Sequence, residues 1–323
     1  MTKPKVAIVR GGPSDEYHVS LASGGHVLEH IDNDTYDVID IVINPSGIWH
    51  REGIETTPEH ALIDIDVMLP IVHGNYGEDG TLAQIAGKLG VKYIGSMPLH
   101  ARRTLDKYTT KHTVQKHGIL TPRDILISRT TDKPASVLTA QIFRAMPAPW
   151  VVKPRNGGSS LGIVLARSLP QLEEALENWD KRDDMIIEEY IAGTEISSGI
   201  VGGFRGNVHY PMQIMQADTP QGRWYDYEQK YSVGGARITT FDAPLAIKNQ
   251  IYQAVQKIHT ACGMRHISRS DFILTKTGKL YFLEVNSIPG LTKHSIVPAA
   301  IKAVGGTMRE LIHHLIDVAL YDK

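Results

Sequence analysis

Residues 266–287 read HISRSDFILTKTGKLYFLEVNS, with Arg269 and Asp271 two apart before a turn and Glu284 and Asn286 two apart after it. Two apolar runs, 272–274 and 280–283, flank Thr-Lys-Thr-Gly-Lys, which is the pattern of a β-hairpin. Side chains two apart on a strand share a face. A two-residue loop centred on Thr277 and Gly278 therefore predicts Asp271 opposite Glu284 and Arg269 opposite Asn286. Two carboxylates facing each other across a ladder repel unless positive charge sits between them. Asp, Glu and Asn form a hard-oxygen set of the kind Mg²⁺ takes, with phosphate and water completing its shell. The alternative is a solvated outer face, since an alternating hairpin commonly has one wet side. The polar, Gly/Pro-rich stretch 287–295 that leaves the carboxylate strand is the kind of loop that holds substrates, and it favours the metal reading.

The elements that must position this hairpin belong to an ordinary globular chain. Its 323 residues are 42% hydrophobic and 21% charged, enough for two or three domains. The formal net charge of −1 lacks the basic excess of a nucleic-acid binder. A single cysteine, Cys262, precludes an internal disulfide and fits a reducing, cytoplasmic compartment; its context, IHTACGM, reads as core. The opening MTKPKVAIVRGG carries too short an apolar run for a signal peptide, and no run is long enough to span a membrane.

Runs 5–9, 38–43 and 67–72 are short and rich in β-branched residues, and helical patterns occur at 20–31 and 81–89. Strands alternating with helices imply a parallel sheet covered on both faces. Gly-rich loops at 10–20 (RGGPSDEYHVS) and 73–80 (HGNYGEDG) leave the carboxyl ends of strands, where open α/β sheets bind ligands. Ser20 is expected as an N-cap that turns a helix N-terminus toward this edge. A doubly wound fold needs glycines at such turns in any case. Glu16 and His73, polar residues in the two loops, favour ligand binding. The GxGxxG fingerprint of a dinucleotide site is absent after the first strand.

In the middle third, 105–117 reads as a helix stopped by Gly118, with Lys107 on what looks like its solvated side. A strand at 150–154 ends in Lys153-Pro154 and enters Arg-Asn-Gly-Gly-Ser-Ser-Leu-Gly (155–162). Such a loop offers backbone N–H groups and the hydroxyls of Ser159 and Ser160 to anionic oxygens, with Lys153 as a point charge; otherwise it is a plain hairpin tip. The strand at 185–191 leads into a connector between two lobes, a seat for an adenine ring, although Glu188 and Glu195 beside it read first as surface acids. Segment 224–237 (WYDYEQKYSVGGAR) is a long aromatic and Gly-rich connection, the usual form of a lid. Helical patterns at 244–264, 297–303 and 308–321 close the chain.

Taken in order, these pieces resemble the D-alanine–D-alanine ligase family of ATP-grasp enzymes over essentially the whole chain. Gly11-Gly-Pro-Ser-Asp-Glu16 with Val19-Ser20 is similar to the family's first loop, and His73-Gly with Gly77-Glu-Asp-Gly80 to its second. Lys153-Pro with Gly158-Ser-Ser-Leu-Gly162 resembles the phosphate loop, and Tyr225-Asp-Tyr with Lys230-Tyr231 the mobile loop. Arg269-Ser-Asp271, Glu284-Val-Asn286 and Pro289-Gly290-Leu-Thr-Lys-His-Ser295 resemble the metal and acceptor segment. Ser268 stands where the family usually has glycine, and Leu291 where methionine is common.

The resemblance implies a fold and a reaction. The fold is an N-terminal Rossmann-like α/β domain (1–96) before a two-lobed ATP-grasp domain, its central lobe at 97–189 and its C-terminal lobe at 190–323. The reaction joins two D-alanines through an acyl phosphate made with ATP. Asp271, Glu284 and Asn286 would hold Mg²⁺, with Mn²⁺ as a substitute, and Lys107, Lys153 and Lys230 would neutralise phosphate oxygens. Ser160 would belong to the phosphate loop. Arg269 and the Gly290 N–H would stabilise the tetrahedral intermediate. Glu16 would take the first ammonium, tied to Ser159 and Tyr231, and Ser295 the second carboxylate. Val19 and His73 would lie near the substrates, and Glu188 and Glu195 near adenosine. Tyr231 points to a dipeptide, since depsipeptide-forming relatives lack it. A homodimer without nucleic-acid or membrane partners is implied. Alternatives are another carboxylate–amine or D-alanyl–D-lactate ligase and, remotely, a non-catalytic nucleotide binder.

Overall fold

The computed structural model describes residues 2–158, 161–218 and 237–321, whose strands form three sheets. The first contains β1 (Lys5–Gly11), β2 (Asp37–Ile43), β3 (Trp49–Arg51), β4 (Ile54–Thr56), β5 (Val67–Ile71) and β6 (Lys92–Tyr93) in the order β4-β3-β2-β1-β5-β6. β1 runs parallel to β2 and β5, and Val6 through Val9 are fully buried, as a strand covered on both faces requires. β3 and β4 form an antiparallel edge absent from the sequence expectation. Glu52 and Gly53 both have positive φ (51° and 86°) in the turn between them. A hairpin of three-residue strands, turned through a glutamate rather than the usual Asn or Asp, leaves little pattern in the sequence.

The second sheet, β7 (Asp124–Ile127), β8 (Trp150–Pro154), β9 (Val164–Ala166) and β10 (Met185–Glu189), is antiparallel in the order β7-β10-β8-β9. Helices Ala135–Ala145 and Leu169–Glu177 cover it, with Leu138, Ile142 and Leu172 packed on Trp150, Val152 and Ile187. The third sheet holds β11 (Thr194–Gly202), β12 (His209–Pro211), β13 (Met215–Asp218), β14 (Arg237–Thr240), β15 (Ile267–Leu274) and β16 (Leu280–Asn286). Helix Leu245–Ala261 seals its back through Ile251, Val255 and Ile258 against Ile196, Phe272 and Phe282. The closing helices Ile296–Ala303 and Met308–Tyr321 return to the first sheet, where Leu311 and Leu315 share a core with Val6, Ile8 and Leu69. That return brings the end of β16 to the loops after β1 and β5.

Two local expectations are corrected. Ser20 does not cap a helix: helix Tyr17–Leu28 starts earlier, and the Ser20 hydroxyl instead accepts the Gly11 N–H (2.7 Å) and donates to the Ile71 carbonyl, tying β1 to β5. The helix expected at 105–117 spans Lys107–Gln115, starting two residues later because extended Asp106 separates it from a preceding helix, Pro98–Leu105. Asp106 caps the second by accepting the Thr109 N–H at 3.0 Å.

Candidate active site

In the β15–β16 hairpin, Asp271 faces Glu284 and Arg269 faces Asn286, as the alternation predicts. The turn differs. Thr275 pairs with Lys279 around Lys276, Thr277 and left-handed Gly278 (φ 79°), a three-residue loop that moves the ladder by one residue. A β-bulge between Asp271 and Phe272 moves it back. The bulge is essential to the site. Leu280 and Phe282 point into the core, so strict alternation would send Glu284 there too; after the bulge Val285 is buried instead. Glu284 and Asn286 thereby join Asp271 on the open face. Bulges recur beside functional sites for this reason, since they re-aim a side chain.

Each of the two carboxylates has a cation beside it. Arg269 grips Asp271 through two bonds of 2.9 and 2.8 Å, and Lys107 Nζ lies 3.6 Å from Glu284. Asp271 also accepts from the Ser197 hydroxyl (2.6 Å) on the neighbouring strand β11 and from the Asn286 amide (3.3 Å). Among the described residues no three His, Cys, Asp or Glu side chains form a metal cluster. The donors here are two carboxylates and one carboxamide. That set suits Mg²⁺, which completes its shell with water and phosphate, and not a metal needing a full protein cage.

Glu16, Val19, His73, Glu195, Arg269, Asp271, Glu284, Asn286, Gly290 and Ser295 all line one cleft. Glu16 is almost fully buried. A Cβ at Gly74 (φ 69°) or Gly158 would come within 2.9 and 2.8 Å of its carboxylate, so both loops need glycine to approach it. Ser295 Oγ accepts the Thr292 N–H (3.0 Å) and precedes helix Ile296–Ala303, whose first N–H groups face outward from the same turn.

Glu78, Ser197, Ile288 and Thr292 also line the cleft and were not singled out from sequence. Glu78 had a signal, an acid inside the Gly-rich 73–80 loop. Its carboxylate accepts the N–H groups of Gly74 (2.9 Å) and Ile288 (3.3 Å). Burial and the nearby Glu16 charge push the Glu78 carboxyl up to about 7 against those two bonds. Its folded pKa exceeds its unfolded one, so this carboxyl's contribution falls as pH rises from about 4.3 to about 7 and is level beyond. The stability difference between the protein and Glu78→Gln should therefore shrink by up to about 4 kcal/mol over that range. Urea midpoints measured at successive pH values test this, and a difference independent of pH refutes it.

Lys107 does not lie on a solvated face, as its helix pattern suggested. Lys107 is buried, donates to the Gly157 carbonyl and reaches Glu284. Lys153 and Glu188 are buried together, 2.9 Å apart. Lys111, which no motif marked, completes the cluster at 2.7 Å from Glu188, 3.0 Å from Asp124 and 2.9 Å from the Pro122 carbonyl. Lys107, Lys111 and Val114 stand at i, i+4 and i+7, so the face of the helix that looked solvated points inward. Arg155, at the start of the 155–162 loop, forks onto Asp106 (3.0 and 2.7 Å) and Asp184 (2.9 Å), fastening that loop to the helix that carries Lys107. Ser159, Ser160, Lys230 and Tyr231 lie outside the described residues, as does most of the 224–237 segment.

Residues 113–317 match the family described as "D-ala D-ala ligase C-terminus" and residues 5–60 its N-terminus. A D-alanine–D-alanine ligase of Fusobacterium nucleatum is 34% identical over 321 residues, 98% of this chain and 99% of that protein. The structure superimposes on a Bacillus anthracis D-alanine–D-alanine ligase complexed with ATP with a TM-score of 0.81 at 26% identity, over 99% of this chain and 98% of that one. It also superimposes on a VanG D-Ala:D-Ser ligase of Enterococcus faecalis, with a TM-score of 0.83 at 26% identity, over 98% and 100% of the two chains.

Proposed function

The chain belongs to the D-alanine–D-alanine ligase family of ATP-grasp enzymes, and from that premise we propose how its cleft works. It is an ATP-dependent ligase that joins two D-alanines into a peptidoglycan precursor. One observation carries the assignment of roles: Glu16 from the first loop meets Arg269, Asp271, Glu284, Asn286, Gly290 and Ser295 in a single cleft.

Glu16 takes the ammonium of the first D-alanine and turns its carboxylate toward Arg269. A carboxylate oxygen attacks the γ-phosphorus of ATP, the bond to the bridging oxygen breaks, and ADP leaves an acyl phosphate. The free amine of the second D-alanine attacks the acyl carbon, the carbon–oxygen bond to phosphate breaks, and inorganic phosphate departs with the proton that the nitrogen sheds. Charge on the acyl oxygen is met by the Arg269 guanidinium and the Gly290 N–H, donors fixed before the reaction begins. Ser295 and the N–H groups at the start of helix Ile296–Ala303 hold the second carboxylate.

Asp271, Glu284 and Asn286 hold Mg²⁺, or Mn²⁺ in its place, which when bound neutralises phosphate oxygens. Lys107, Lys153 and Lys230 add positive charge there, and Glu188 keeps Lys153 oriented. By the family's pattern Ser159 and Tyr231 would link Glu16 to the 224–237 segment and Ser160 would serve the phosphate loop; all three lie outside the described residues. Glu195 faces the ribose hydroxyls, while Val19 and His73 wall the first substrate. We divide the chain into an N-terminal domain (1–96), a central lobe (97–189) and a C-terminal lobe (190–323), a division supported by the one sheet that falls within each span. The enzyme works as a homodimer in the cytoplasm. No helix among the described residues is long and apolar enough to cross a membrane.

The similarity to a D-Ala:D-Ser ligase supports a second reading of the acceptor alone. ATP turnover with Mg²⁺, with D-alanine against other D- and L-amino acids and D-lactate and products identified by mass, separates the two. Saturable ADP release with D-alanyl-D-alanine as product is expected. Preferential D-alanyl-D-serine or depsipeptide would transfer the acceptor assignment, and ADP release with no pair would sink the ligase reading.

A further inference from the structure

Loop 287–291, which carries Gly290, is held through its backbone by four side chains from the N-terminal sheet unit. At Ile288, Glu78 Oε1 accepts the N–H (3.3 Å) and His73 Nδ1 lies 3.1 Å from the carbonyl. At Leu291, Ser23 Oγ accepts the N–H (3.3 Å) and His26 Nδ1 lies 2.7 Å from the carbonyl. A carbonyl can only accept, so both imidazoles carry a proton on Nδ1 and donate it. Burial holds His73 below the usual imidazole range, so it is neutral and its Nε2 is an acceptor. The Ser23 hydroxyl, 3.1 Å away, donates to that Nε2 while accepting from Leu291. Glu78, His73 and Ser23 are all buried, so the chain of bonds is shielded from competing water.

Only Pro289 and Gly290 separate the two held residues, and proline fixes its own φ. A span that short, gripped at both ends from a different sheet, takes its orientation from that sheet. We infer that Ser23, His26, His73 and Glu78 are positioning residues that aim the Gly290 N–H at the acyl oxygen in the amine-attack step. The inference rests on the proposed role of Gly290. It gives helix Tyr17–Leu28 a function beyond packing, since neither Ser23 nor His26 lines the cleft.

The loss should fall on the second step and spare the first. Acyl phosphate would still form, but amine attack would slow and water would take part of the intermediate. Ser23→Ala and His26→Phe are expected to lower dipeptide kcat by about 10²-fold, the effect of small misplacement, with KM for ATP within about twofold. The ratio of ADP to dipeptide should rise above one. His26→Asn keeps a donor at the position of Nδ1 and should restore one-to-one coupling. Hydrogen exchange of peptides covering 287–292 reads the clamp without turnover and should quicken roughly fivefold or more in Ser23→Ala. Unchanged exchange, or one-to-one coupling at undiminished kcat in both folded variants, overturns the inference. If the unmodified enzyme ligates no pair, the ligase reading falls, and the exchange result alone decides whether the clamp exists.

Discussion

Glu284→Gln is expected to lower dipeptide synthesis by about 10³-fold or more while leaving the protein folded. Glutamine keeps the shape and one oxygen donor but removes one of the two carboxylate charges in the Asp271–Glu284–Asn286 set. The remaining carboxylate, Asp271, is already engaged by Arg269 and Ser197, so it cannot make up the lost charge. Stability should hardly change, because Glu284 is partly exposed and Lys107, 3.6 Å away, also donates to the Gly157 carbonyl. Product quantified by mass, alongside urea midpoints, separates the two effects. A variant that keeps a tenth of the activity would remove Glu284 from the metal-binding set.

Lys111→Met is expected to act the other way, on stability first. Its ammonium is completely buried between Glu188, Asp124 and the Pro122 carbonyl. Removing one member of such a cluster leaves buried charge uncompensated, a loss of about 3–5 kcal/mol. Asp124 would lose the only ion-pair partner it has among the described residues, and Glu188 would keep only Lys153. Burial works against the Glu188 charge, but Lys153 and Lys111 together hold its pKa below the usual carboxylate range. A depressed carboxyl contributes stability above its unfolded pKa and loses it as pH falls through the folded one. The cost of Lys111→Met should thus be greatest at neutral pH and diminish in acid, which denaturant titrations at two pH values would reveal. A cost below about 1 kcal/mol at neutral pH would mean that water reaches the cluster.

These two residues show how unevenly the site could be read. Glu284 was legible because its motif is local: two strands, one turn and acids at alternate positions. The expected pairing with Asp271 is correct although the expected turn is not. Lys111 left no trace, because a lysine on a polar helix is normally solvated, and only packing against β10 shows that this face is closed. Ser20 failed in the same way: as a residue type it suits a helix cap, but in place it bridges two strands.

The amino-acid order by itself determined the oxygen donors of the hairpin and the Gly-rich loops, because each depends on residues close together in the chain, and the order of all these motifs carried the family resemblance that implies the reaction class. Tertiary structure decided which lysines are buried and what they neutralise. It also decided that the three-residue turn sets Phe272 edge-on against Phe282 at 5.9 Å and that the bulge beyond that pair aims Glu284 into the cleft. And it set the backbone of the Gly290 loop against Ser23, His26, His73 and Glu78. Those contacts join positions up to 268 residues apart, where only the packing of one sheet against another brings a donor to an acceptor.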